Sequence, residues 1–103
     1  MSFNNDFFNI LRIIQKGKAK NQREMADASG LSLGKINHCL KELKKKGLIK
    51  LENFKNNENK AVYLYLLTPH GLKTKIKLTV NFMKKKSKEY DELKRELEED
   101  KHK

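Results

Sequence analysis

Apolar residues recur at helical spacing through the first half of the chain. Phe7, Leu11 and Ile14, joined by Phe8 and Ile10, predict a first helix within NNDFFNILRIIQKGK. Asn5 or Asp6 suits its N-cap and Gly17 its end. NQREMADASG predicts a short second helix, with Asn21 as cap, Glu24 three residues on, and Gly30 as the stop. Ser32 then caps a third helix with an apolar stripe of Ile36, Cys39, Leu40 and Leu43, ending near Lys46 and Gly47. The periodicity then changes. LIKLENF and AVYLYLLT are rich in β-branched and aromatic residues and predict two strands. The polar KNNENK between them predicts a hairpin turn. Thr68-Pro69 opens a last helix, with threonine as cap and proline in the first turn. No breaker follows Gly71, so this helix is expected to run to about Glu99.

The expected fold is mainly α with a small β-hairpin: a winged helix-turn-helix followed by a long C-terminal helix. Residues 1–68 form the expected DNA-binding part and 69–103 a C-terminal dimerisation helix, together one compact unit. A chain of 103 residues suits one modest core. There is neither an internal repeat nor a linker in the pattern.

Spacing sharpens the helix-turn-helix reading. With Gln22 as the first position, Ala26 is fifth, Gly30 ninth, Ile36 fifteenth and Cys39 eighteenth. The fifth position sits where two helices cross closely and needs a small side chain. The ninth lies in the tight turn, and the last two lock the second helix onto the first.

Charge adds a partner. The formal net charge is +11, which favours a polyanion. Lysine dominates it, and a lysine-, asparagine- and isoleucine-rich composition also follows from A·T-rich coding, so position counts for more than the total. Residues 32–50 hold six lysines against one glutamate, the densest basic block in the chain. The third helix is therefore the expected recognition helix, lying in a major groove of double-stranded DNA. Ser32 can donate to a phosphate at the helix N-terminus, and Gly34 lets the backbone come close. Lys35, Asn37, His38 and Lys41 lie on the outward side. Asn37 is the candidate for reading adenine through a bidentate amide contact. Lys44, Lys45 and Lys46 fit a solvated face as well as a DNA contact. The turn supplies a candidate wing, in which Asn56, Asn57 and Asn59 can hydrogen-bond and Lys55 and Lys60 add charge; an ordinary polar turn has the same composition.

The last helix carries Ile76, Val80, Met83, Tyr90 and Leu97 close to a four–three alternation, interrupted by Ser87 and Lys94 and widened by Leu72 and Leu93. So long a helix outruns a small domain, and a second copy is the expected cover. Ile76, Val80, Met83, Tyr90, Leu93 and Leu97 are the candidate dimerisation residues, with a monomer as the alternative. Lysines alternate with acids along the tail, as in solvated ion pairs.

Catalysis, metal ligation and a cofactor are not expected. His38, His70 and His102 are scattered, and no HxxxH, CxxC or phosphate-cradling glycine loop occurs. Cys39 is the sole cysteine, which excludes an internal disulfide, and its place on the stripe reads as a small buried hydrophobe. No apolar run approaches a membrane span, and the first residues lack the pattern of a signal peptide. The expectation is a soluble cytoplasmic protein.

NQREMADASGLSLGKINHCLKELKKKGLI and LLTPHG resemble the DNA-reading core and strand-to-helix junction of the MarR family of winged-helix transcriptional regulators. NFKNNENKAVYLYLLTPHGLKTK followed by FMKKKSKEYDELKREL is similar to the short members associated with exopolysaccharide gene clusters. The resemblance implies a dimeric, sequence-specific regulator, acting as a repressor. Asn59-Lys60-Ala61 replaces the usual Asp-x-Arg of the wing, and one helix follows the wing. A small-molecule effector is accordingly not expected. A winged-helix module that docks proteins without reading DNA is the competing function.

Overall fold

A computed structural model describes residues 2–17, 19–55 and 57–103, with backbone alone for 2–4. Its elements are α1 (Ser2–Lys16), α2 (Gln22–Ser29), α3 (Leu33–Lys45), β1 (Ile49–Lys55), β2 (Ala61–Leu67) and α4 (Pro69–Lys101). This is the winged helix-turn-helix order with a long helix appended, as the hydrophobic pattern predicts.

The first expected cap is corrected. Ser2 to Asn5 contains no breaker, and α1 already runs through them. Asn5 and Asp6 therefore lie inside the helix, and Asp6 is buried. Its carboxylate faces Lys35 of α3, with Nζ 3.0 Å from Oδ2, instead of capping a backbone N–H.

The core is the meeting of three helices and the hairpin base. Phe7, Ile10, Leu11 and Ile14 of α1 pack with Met25 of α2, with Ile36, Cys39, Leu40 and Leu43 of α3, and with Leu48 and Ile49. In α1 and α3 these positions recur at three- and four-residue steps, so one face of each is apolar. Ala26, the small residue at the expected crossing, packs against this cluster. Phe8 faces α4, where its ring stacks on Phe82 with centroids 4.8 Å apart.

The strands pair antiparallel, with Ile49 opposite Leu67 and Lys55 opposite Ala61. Tyr65 and Leu67 lean on the core, while Tyr63 is exposed. The hairpin is tied to α4 at its base. Thr68 caps α4 by accepting from the Gly71 N–H at 2.9 Å, and its hydroxyl donates to the Gly47 carbonyl. The Thr68 N–H donates to the Leu48 carbonyl at 3.1 Å. Gly71 is buried against this strap: a Cβ there would lie 1.8 Å from the Leu48 oxygen. Glycine is needed for the close approach.

Candidate nucleic-acid interface

The turn between α2 and α3 sets the direction of the candidate reading helix. Asn21 accepts from the Glu24 N–H at 2.8 Å. Glu24 reaches back to accept from Lys20 N–H at 2.8 Å, one residue before the position a capping box uses. Gly30 ends α2 at φ 76°, where other residues are strained. Two residues later Ser32 accepts from Lys35 N–H at 3.1 Å and starts α3. The Ser32 oxygen acts as the cap, and its own hydrogen stays available to donate outward.

α3 is divided by its two faces. Ile36, Cys39 and Leu43 are fully buried and Leu40 nearly so, which fixes the helix on the body. Ser32, Gly34, Lys35, Asn37, His38 and Lys41 are exposed. Leu33 joins them at 47% exposure, one turn before Asn37. Sequence reasoning passed over it; the available signal is an apolar residue outside the 36–40–43 stripe. Such a side chain at a groove-facing position can meet a thymine methyl. Burial pushes the Cys39 thiol above its ordinary pKa, and the nearby Asp6 adds to the effect. The group is a packing residue in its protonated form.

The candidate contacts are not electrically equivalent. Lys41 is exposed, whereas Lys35 is held by Asp6. No well-aligned hydrogen bond reaches the buried Asp6 Oδ2, so that contact is an ion pair. Lys44 and Lys45 occupy the last turn of α3, where cations also offset the helix dipole.

At the tip, Lys55, Asn57, Asn59 and Lys60 are exposed, and Asn59 takes a positive φ of 63°. Asn56 lies outside the described residues. Lys60 sits 3.3 Å from Glu58, and both are largely solvated. Glu58 thus offsets part of the charge the wing offers. The structure brings the α3 residues onto one surface; the tip residues belong to the hairpin, a separate element.

Among the described residues, no group of three or more His, Cys, Asp or Glu is arranged to hold a metal. No helix of the described residues is long and apolar enough to cross a membrane. An open groove of about 500 Å³ runs between α1 and α4, lined in part by Phe8, Arg12, Phe82, Met83, Lys85 and Lys86. The Arg12 guanidinium lies over the Phe8 ring, 5.5 Å from its centroid.

The class these elements define is a winged helix-turn-helix with a helical C-terminal extension. Residues 8–50, which span α1 from Phe8 through α3, match the winged helix-turn-helix DNA-binding family model. Among solved structures, a mutant MepR of S. aureus aligns with a TM-score of 0.66 at 18% identity, covering 85% of this chain and 64% of that one. ZitR of Lactococcus lactis, a zinc-responsive MarR family member, aligns with a TM-score of 0.61 at 25% identity, covering 85% and 58%. A Thermoplasma acidophilum protein assigned as a transcriptional regulator gives 0.62 at 19% identity, covering 86% and 90%. MarR-family regulators are thus among the structural neighbours, and the chain shares their fold. It spans less than two thirds of the length of MepR and ZitR. No curated protein matches the sequence.

Proposed function

We propose that the protein is a homodimeric, sequence-specific DNA-binding regulator acting as a repressor in the cytoplasm, without a small-molecule effector. Residues 1–68 bind the duplex and 69–103 join the two copies. The observation that carries this reading is the division of α3. Its apolar face is sealed in the core, while Ser32, Leu33, Gly34, Asn37, His38 and Lys41 stand exposed at its N-terminal half. That is the part of a recognition helix that meets base edges. Asn37 reads a base, Ser32 and Lys41 hold phosphates, and the wing residues Lys55, Asn57, Asn59 and Lys60 reach the flanking backbone. Control of exopolysaccharide genes is supported by the resemblance of the second half of the chain to that group.

Selection of bound duplexes from a random pool, followed by salt titration of the winner against random DNA, tests the reading. A palindromic winner with much tighter affinity is expected. Binding without enrichment that fades as salt rises would leave charge attraction alone. Mapping the sites in the genome then tests the link to exopolysaccharide genes.

One observation favours a second reading, a protein-docking module. Leu51, Phe54 and Tyr63 of the hairpin are exposed, at 38%, 41% and 59%. A hairpin serving only as a wing does not need them. Unenriched DNA together with a protein partner lost on Phe54→Ser would support it.

A further inference from the structure

The stripe on α4 is unpartnered: Ile76, Val80, Met83, Tyr90, Leu93 and Leu97 are 44–65% exposed. The expected solvated ion pairs are present along the tail, at Lys86–Glu89, Glu98–Lys101 and Asp100–Lys103, but on a coarser scale the charge beside the stripe is segregated. Residues 84–88 hold four lysines and no acid; residues 89–100 hold seven acids against Lys94 and Arg95. We infer that α4 of a second copy covers this stripe in the antiparallel sense, about a dyad between residues 88 and 89. This inference rests on the dimer reading above and adds to it the direction and register of the seam.

Self-complementarity carries the argument. In this register Val80 meets the partner's Leu97, Met83 meets the partner's Lys94, and Ser87 meets the partner's Tyr90. The two interruptions of the stripe thereby find use. Small Ser87 leaves room for a bulky ring, and the Lys94 stem lies over Met83 with its ammonium in water. A parallel, in-register pair instead stacks Lys94 on Lys94 and leaves a gap between two serines. At the flank, Lys84 falls beside the partner's Asp91 and Lys77 beside the partner's Glu98, each contact made twice by symmetry. Among the described residues, Lys77, Lys84 and Asp91 have no ion-pair partner within the chain. The partner's acidic segment also passes the α1–α4 groove, whose lining includes Arg12 and Lys85 beside the Lys86–Glu89 pair.

Spacing agrees. The body packs on one face of α4 between Gly71 and Phe82, opposite the exposed Ile76 and Val80, centred roughly twelve residues from the dyad at one residue per about 1.5 Å. Two bodies on opposite ends of the seam lie about 35 Å apart at about 1.5 Å per residue. Successive major-groove half-sites lie about 34–36 Å apart. A parallel seam puts both bodies side by side at one end.

The test uses the full chain with Cys39 left in its core. Val80→Cys and Leu97→Cys variants are oxidised alone and after mixing and re-equilibration. The expected result is a disulfide-linked dimer in the mixture and none with either variant alone. Lys84→Glu should weaken association about tenfold by sedimentation, and Lys84→Glu with Asp91→Lys should restore it. Cross-linking of each variant with itself, or no rescue by the double reversal, overturns the antiparallel seam while leaving the dimer standing. A wild-type chain that sediments as a monomer at all accessible concentrations overturns both. Circular dichroism confirms that each exposed substitution leaves the helix intact.

Discussion

α3 and α4 are both amphipathic and basic, yet they end differently. The stripe of α3 is buried to the last atom at Ile36, Cys39 and Leu43, whereas Met83, Tyr90 and Leu93 of α4 are each 65% exposed. The difference is one of reach. α3 is 13 residues long and is met along its length by α1, α2 and the hairpin base. α4 has 33 residues, and from Met83 onward every position is exposed. A stripe is evidence of an apolar partner; the length of the helix relative to its body decides whether the same chain can supply it.

The largest effect that could break this comparison comes from removing one leucine from each helix. Leu43→Ala should lower unfolding free energy by roughly 2–5 kcal/mol, because a filled core site loses its transfer energy and leaves a cavity. Leu97→Ala should change it by under about 0.5 kcal/mol in dilute solution. Urea titration across a range of protein concentrations checks both. Only the Leu97 variant should lose the concentration dependence that a dimer confers. Equal losses in dilute solution would mean that α4 is covered within one chain. Gly71→Ala comes next, at about 1–3 kcal/mol, because the new methyl meets the Leu48 carbonyl of a strap and not a movable side chain. The thermal midpoint reads it.

The element order and most of the core were legible in the sequence because they follow from local periodicity and caps. Asn21, Gly30, Ser32 and Thr68 act where their chemistry predicts. What local pattern could not show was pairing across elements. Asp6 looks like a cap until α3 brings Lys35 beside it. Phe8 is apolar and near the α1 stripe, yet it belongs to the contact with Phe82. Leu33 draws no notice in the sequence, and burial of the opposite face of α3 leaves it outside. The candidate reading surface was therefore legible as a face, while its electrostatics were not.

Within that face, Asn37 and Lys41 should separate. Asn37→Ala should cost about 1–3 kcal/mol of discrimination at one base pair, as expected for a lost bidentate contact, with little change on random DNA. Lys41→Ala should weaken selected and random duplexes alike and reduce the salt slope by about 0.9. Competition binding at several salt concentrations distinguishes them. Uniform losses from Asn37→Ala would remove base reading from this residue.

The smallest effect tests Lys35, a cation of the candidate face that Asp6 of α1 engages. Lys35 lies on the candidate face but is paired with the nearly buried Asp6, its own side chain 45% exposed. Drawing that ammonium toward a phosphate exchanges one anion for another, so Lys35 should add less to binding than Lys41. Asp6→Asn removes the competing charge and keeps the shape. Lys35 is then free to meet DNA, and affinity for random duplex should rise a few-fold, with a salt slope steeper by up to about 0.9. Lys35→Ala in the same background should erase that gain. Stability is followed in parallel, because the substitution also removes the carboxylate that α3 packs against. A variant that stays folded and binds with unchanged affinity at every salt concentration would show that Lys35 serves α1 alone, and that the electrostatic face of α3 begins at Lys41.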